Sequence, residues 1–274
     1  FLEDILDILN ILQAFNKFEY RKLKDLINKK VYKMIDWLYN MSFSDSLSLF
    51  NDSANGVASN YQQISLYATR LGLSNLTNKY LDNDSMYLKY FSDSGYISVY
   101  ARNIKAILDI GNIGPDYLTA HSHADTLSFE LESQGEKIFV NSGTSTYEVS
   151  ERRSFERSTK AHNCIELNGK NSSQVWSSFR VGRRAHPKNL KIEENDSSFK
   201  ISCAHDGYVT KTNKLIPNRT WIFENNRITI KDSVEGKFNS AVSRFFVHNS
   251  VKISQVNKNQ YVLKKINKKL ALES

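Results

Sequence analysis

Apolar positions recur at helical spacing at the start of the chain, at Leu2, Ile5, Leu6, Leu9 and Leu12. Residues three and four apart share one helix face, so this stripe predicts a helix over residues 1–14. A second stripe of Leu23, Leu26, Ile27, Val31, Met34, Ile35 and Leu38 predicts a helix over residues 19–39. SFSDSLSLFNDSANG then breaks the period with Ser, Asp, Asn and Gly, which favour turns, and predicts a loop. A third helix is predicted over 57–71 and a short fourth up to Leu81.

After Asp84 the period becomes two. GYISVYARN, KAILDIG, LSFELES, KIFVNSG and HNCIELNG are short, rich in β-branched and aromatic residues, and bounded by Gly, Asn or Asp. KISCAHDGYV, RTWIFENN, RITIKDSVEG and SRFFVHN continue the rhythm. SQGEK reads as a turn between two strands, and ENNR and LNGKN read as hairpin turns. In LSFELES, Leu127, Phe129 and Leu131 alternate with Ser128, Glu130 and Glu132, the pattern of a half-buried strand. Helices followed by strands predict separate layers, hence an α+β chain with a large antiparallel β-sandwich. The division is expected at 84–93, giving a helical domain over 1–90 and a sandwich over 91–274.

The 274 residues suffice for one large domain or two medium ones, with a core that needs no disulfide staples. Cys164 and Cys203 read as two buried thiols, with one disulfide between neighbouring strands as the alternative. No apolar run approaches the roughly 18 residues a membrane span needs. The chain opens on a helical pattern rather than on Met, and reads as a fragment of something longer.

A net charge of +8 favours an acidic partner. No nucleic-acid motif is present, and strands bearing glutamates make no basic aromatic platform, so nucleic acid is not the expected partner. Residues 252–269 hold six Lys and no acid, which reads as a solvated face. Residues 151–184 hold six of the twelve Arg. Guanidinium suits a planar two-pronged grip on carboxylate or sulfate. Arg152, Arg153 and Arg157 therefore either hold substrate carboxylates or pair with Glu148, Glu151 and Glu156.

The stretch TAHSHADTLSFEL puts His121, His123 and Asp125 just before a strand. A hairpin through SQGEK would return Asn141 to that end, and His162 opens another strand. Two histidines two apart with a remote third suit zinc, which takes nitrogen and carboxylate ligands in a tetrahedron. The alternative is a set of lip histidines satisfied by hydrogen bonds. Asp125 either ligates or caps the turn. Asn51 and Asp52 either brace the loop after the second helix or line a cleft. His186, His205 and His248 are isolated and read as structural.

AHSHADTLSFELESQGEKIFVNSGTSTY, RRSFERSTKAHNCIELNGKNSSQVW and FRVGRRAHP together resemble the C-terminal half of the heparinase II/III-like polysaccharide lyases. AHDGY, NRTWIFENNRITIKDSVEG and SRFFVHN extend the match. FLEDILDILN and WLYNMSFSDSLSLFNDSANGVASNYQQISLYATRLGL resemble the last helices of the family's α/α toroid. The resemblance implies an incomplete toroid joined to a β-sandwich, and β-elimination of uronic-acid polysaccharides. The family's acidic substrate would be the partner, and location would be periplasmic or extracellular. His121 matches the family's active-site histidine, and His123 and His162 match two ligands of its metal, usually zinc. The third ligand, an aspartate in V-D-S-G-T, is Asn141 here, which removes a negative donor. The family's tyrosine acid or base lies in a segment resembling S-P-x-Y-H, just upstream of the stretch matched by Leu2–Asn10. Tyr67 falls in a later helix and reads as packing. Arg153, Arg157 and Asn51 are the expected substrate-side residues. A non-catalytic carbohydrate-binding relative is the second reading, supported by Asn141.

Overall fold

A computed structural model describes residues 1–15, 17–44, 46–74, 86–225 and 227–265. The expected fourth helix and the last part of the lysine tract lie outside the described residues.

Helices α1 (Leu2–Phe15), α2 (Arg21–Asn40) and α3 (Tyr61–Arg70) form where the stripes predict, although Leu23 and Leu26 of the second stripe are exposed. Leu6, Leu9 and Leu12 meet Ile27, Val31 and Ile35, with Ile64 and Ala68 closing the cluster. α3 starts four residues later than its apolar pattern suggests because Asn60 caps it. The Asn60 side chain accepts from the Gln63 amide (2.9 Å) and the Gln63 side chain accepts from the Asn60 amide (2.9 Å). That reciprocal pair satisfies two otherwise open helix donors. Tyr67 donates to Asp7 (2.6 Å) and ties α3 to α1.

Strands β1 (Met86–Phe91), β2 (Tyr96–Ala101), β3 (Ile104–Asp109), β4 (Phe129–Ser133) and β5 (Glu136–Phe139) form one antiparallel meander. Its last turn is the predicted one, with Gln134 (φ 53°) and Gly135 (φ 75°) both left-handed. That geometry matches the twist of a tight hairpin. A short helix α4 (Glu151–Glu156) leads to β6 (Ile165–Leu167), then the small β7 (Val175–Trp176) and β8 (Arg180–Val181). β9 (Pro187–Asn195), β10 (Ser198–His205), β11 (Tyr208–Val209), β12 (Lys214–Glu224) and β13 (Arg227–Glu235) build the second sheet. β14 (Ala241–Ser243) pairs with β6, and β15 (Val251–Asn257) with β16 (Gln260–Lys265).

The two sheets share one core. Ile97, Val99, Ala106, Leu108, Phe129 and Leu131 of the first sheet pack with Phe199, Ile201, Cys203, Trp221 and Phe223 of the second. Each such burial contributes about 1.5–3 kcal/mol. The fold is α+β, as the order of elements predicts. Cys164 and Cys203 are buried and unbridged.

Three local expectations differ. SRFFVHN contributes a named strand only up to Ser243; beyond it the Phe246 amide is donated to Asn163 Oδ1 (2.6 Å), and Val247 keeps a single antiparallel bridge to Phe139 of β5. Leu127 is not in the strand; it turns left-handed (φ 66°) just before β4. Ser128, Glu130 and Glu132 are buried rather than solvated. The loop after α2 covers their face: Glu132 accepts from the Ser44 amide (2.8 Å) and hydroxyl (2.7 Å), and Glu130 from the Leu49 amide. Lys105 on β3 extends the clamp, donating to Tyr39 O (3.0 Å) and stacking over Tyr100. This clamp delivers Asn51 and Asp52 to the lip of the first sheet.

Burial pushes the Glu130 carboxyl up to about 7, against the pull of Lys137 and of the Leu49 and Asn141 amides. Its folded value lies above its unfolded value near 4.5, so the folded state holds the proton more tightly. Stability from this group is present below pH ~4.5 and is lost as pH rises through ~7, by roughly 3 kcal/mol. Glu130→Gln is expected to flatten the fall in chemical-denaturation stability between those pH values; an unchanged slope would contradict it.

Candidate active site

Asp52 is the hub of the lip. Its side chain is only 5% exposed. Oδ2 meets His121 Nδ1 (2.9 Å) and Oδ1 meets His123 Nε2 (2.8 Å). Arg153 grips both carboxylate oxygens, through Nη2 to Oδ2 at 2.8 Å and Nη1 to Oδ1. Burial alone would raise the Asp52 carboxyl; the hydrogen bonds from His123, Arg153 and His121 outweigh it and hold the group ionised, far below the usual range.

Asn51 adopts a left-handed backbone (φ 54°) that lets one short segment present both residues. Its Oδ1 accepts the His123 amide (3.1 Å) and its Nδ2 donates to Tyr96 Oη (3.2 Å). The NSGT turn locks on from the other side, with the Thr144 amide donating to Ser53 O (3.0 Å). Gly143 (φ 60°) is needed there, since a Cβ would sit 2.0 Å from Ser53 O.

His121 is the substrate-accessible member, with 58% of its side chain exposed. It lies at one end of a cleft of about 490 Å³ that Trp37, Met41, Phe50, Asp52, Tyr96 and Tyr147 also line. Tyr147 and Phe179 flank its ring, each 5.8 Å away centre to centre. His123 and His162 face inward and are fully buried. His162 Nδ1 donates to Asn141 Oδ1 (2.9 Å). Burial, then the neighbouring His123, push His162 well below the ordinary imidazole range, so it stays neutral.

The structure thus gathers His121, His123, His162, Asn141 and Asn51 around one lip. It does not place Arg153 or Arg157 on the substrate side. Arg153 is fully buried and spends its remaining donors on Thr144 Oγ1 (2.8 Å) and Ser178 O (2.9 Å). Arg157 donates to the backbone oxygens of Ser122 (3.0 Å), Trp176 (3.3 Å) and Arg180 (3.3 Å). Both arginines are internal braces, because clustered carbonyls and one carboxylate satisfy their planar forks. Asn51 braces the His123 segment while also lining the cleft.

Two orphaned atoms bear on a metal. His123 Nδ1 and His162 Nε2 are buried without hydrogen-bond partners, and the two rings lie 5.2 Å apart. With the opposite nitrogens donating, both atoms carry lone pairs, the donor chemistry of a small divalent cation. Among the described residues no group of three His, Cys, Asp or Glu is placed to hold a metal. The residues therefore fit a cation through two imidazole nitrogens, with the third position left to water; Asn141, expected as a ligand, instead engages His162 Nδ1 on the opposite side of that ring. Asp125 packs close enough to His123 and Asp109 for their charges to interact.

A model of the domain described as "Heparinase II/III-like, C-terminal" matches residues 84–273. The chain belongs to the heparinase II/III-like family. A heparin-sulfate lyase of Bacteroides stercoris is 33% identical over 81 residues, 28% of this chain and 12% of that protein. Two solved heparinase III structures superpose with TM-scores of 0.63, at 22% and 17% identity. They align over 86% and 93% of this chain and 36% and 43% of theirs. A heparan sulfate lyase from Pedobacter heparinus gives 0.56 at 19% identity, over 86% of this chain and 38% of its own. This heparinase II/III-like chain thus spans less than half the length of those relatives.

Tyr147, Phe179 and Asn163 also take part at the lip, and Asp52 does more there than brace a loop or line a cleft. Asn163 bonds Phe129 O (2.7 Å) and Val140 O (3.2 Å), joining the ends of β4 and β5. Its place beside His162 in AHN was the available signal. Asp52 carried only its adjacency to Asn51.

Proposed function

We propose that the chain is the C-terminal part of a polysaccharide lyase that cleaves uronic-acid polymers by β-elimination. The observation that carries this reading is His121, an exposed imidazole at the end of a cleft, anchored through Nδ1 and free at Nε2. Elimination removes the proton on C5, forms the C4–C5 double bond and expels O4, which takes up a proton. His121 Nε2 performs one of the two proton transfers, a role for which an anchored imidazole suits neutral pH. Tyr147, which lines the cleft, and Phe179 flank its ring and limit how it can turn. An acidic polymer outside the cytoplasm is the substrate. Accordingly, the site of action is periplasmic or extracellular. No helix among the described residues is long and apolar enough to cross a membrane.

The test is a uronate polymer beside the same polymer with its carboxyls reduced to alcohols, each given to the full natural protein. The native polymer should shorten and the reduced one should not, because no carboxylate remains to acidify C5. Equal cleavage of both would contradict elimination.

In this reading His123 Nδ1 and His162 Nε2 would hold a structural zinc ion, with Asn141 behind the His162 ring at Nδ1. When bound, it adds positive charge beneath the lip and cross-links two strand ends. Asn141→Asp puts a carboxylate on His162 Nδ1, makes that imidazole a stronger donor at Nε2, and is expected to tighten zinc binding at least about tenfold in competition with a chromophoric chelator. Unchanged affinity would show that the partner at His162 Nδ1 does not tune the site. A non-catalytic carbohydrate-binding relative is the second reading, favoured by that same loss of a negative ligand; it predicts retention on immobilised polymer without shortening of the chains.

A further inference from the structure

We propose that Asp52 is a positioning residue that fixes the proton positions on both lip histidines, turning a basic nitrogen outward on His121 and another inward on His123. The proposal rests on the lyase reading only where it concerns turnover.

An ionised carboxylate accepts and cannot donate, and offers about four lone-pair sites. All four are taken at Asp52: Oδ1 by His123 Nε2 and Arg153 Nη1, Oδ2 by His121 Nδ1 and Arg153 Nη2. Each contacting nitrogen must therefore be the donor. His121 then carries its hydrogen on Nδ1, and its lone pair sits on Nε2, the nitrogen not tied to the carboxylate. His123 carries its hydrogen on Nε2, and its lone pair sits on the buried, unpartnered Nδ1. A single carboxylate decides both.

Three features make the assignment rigid. Arg153 is itself immobile, held at Ser178 O and Thr144 Oγ1, so the carboxylate cannot swing. The loop that carries Asp52 is pinned through Asn51 to the His123 amide and through Ser53 to the NSGT turn. Arg153 meets both oxygens of Asp52, and this two-pronged contact with a guanidinium keeps the carboxylate an acceptor. The buried guanidinium also balances the charge.

Asp52→Asn breaks the logic at constant shape. An amide has one acceptor oxygen and one donor nitrogen, so it cannot accept from both histidines. At least one ring must change tautomer.

The test is ring-nitrogen NMR of the full natural protein labelled at histidine, recorded where imidazoles are neutral. Assignment comes from His121→Gln and His123→Gln. The wild-type spectrum is expected to show His121 as the Nδ1–H form and His123 as the Nε2–H form. The opposite tautomer at either ring overturns the proposal, and this arm needs no variant to fold. In Asp52→Asn, at least one ring should switch, and kcat on a uronate polymer should fall on the order of 10²–10⁴-fold with KM changed far less. Unswitched rings in a folded variant, or switched rings with undiminished kcat, overturn it. If the wild type cuts no uronate polymer, the lyase reading fails while the tautomer result still decides the role of Asp52.

Discussion

His121→Ala is expected to lower kcat on a uronate polymer by about 10²–10⁴-fold, the range for removal of a positioned proton-transfer group. KM should change little, because the cleft walls at Trp37, Phe50, Tyr96 and Tyr147 remain. The fold should survive, since the ring is more than half exposed and its loss leaves Asp52 still held by Arg153 and His123. Surface-type truncations of this sort usually cost within about 0.5 kcal/mol. The check is a steady-state comparison of folded wild-type and variant protein. Equal rates would take His121 out of the chemistry and leave Asp52 and the inward histidines as architecture.

Arg219→Leu should produce the largest loss of stability, about 2–5 kcal/mol, because it strips the donor from two buried carbonyls at about 1–3 kcal/mol each, while the Asp232 left behind is partly exposed. Arg219 is fully buried on β12 between the sheets and the lip. It pairs with both oxygens of Asp232 (2.7 and 2.8 Å) and donates to Leu127 O (3.1 Å), Asn163 O and Ser243 Oγ (3.0 Å). Phe129 and Phe245 stack on its plane at 5.6 Å. Leucine matches much of the volume but orphans the Leu127 and Asn163 carbonyls, which cannot reach water. Those two carbonyls flank the turn before β4 and the AHN segment, so loosening them also loosens His123 and His162. A denaturant midpoint shifted down at unchanged m-value would show the effect. A midpoint within about 1 kcal/mol of wild type would mean the region relaxes around the loss. Arg219→Lys should recover little, because an ammonium cannot span Asp232 and two carbonyls at once.

The helical stripes of α1 and α2 were legible because Leu6, Leu9, Val31 and Ile35 each meet another helix. The β4–β5 hairpin was legible because Gln134 and Gly135 have the chemistry of a tight turn. Periodicity identifies which residues share a face, and nothing in it says what covers that face. Glu130 and Glu132 look solvated for that reason, and are buried because a loop from residues 44–49, far away in sequence, donates its amides to them. The same limit governs the site. HSHAD, NSGT and AHN announce His121, His123, Asn141 and His162, since short spacing and a hairpin bring them together. The arginine cluster suggested a substrate grip, yet Arg153 and Arg157 turn inward to Asp52 and to backbone oxygens that only the fold assembles. Asp52 reads in the sequence only as a loop brace or cleft-lining residue, because its three partners come from segments about 70 and 100 residues away. The exposed hairpin of β15 and β16 escaped notice because its strands alternate too few apolar positions.

Cleavage by elimination leaves a mark that hydrolysis cannot, a carbon–carbon double bond conjugated to the uronate carboxylate. The most direct measurement counts that ultraviolet-absorbing bond against new reducing ends as the full natural protein digests a uronate polymer. The predicted result is one double bond per new reducing end. New ends without absorbance would contradict the account, and so would absorbance unaltered by the protein.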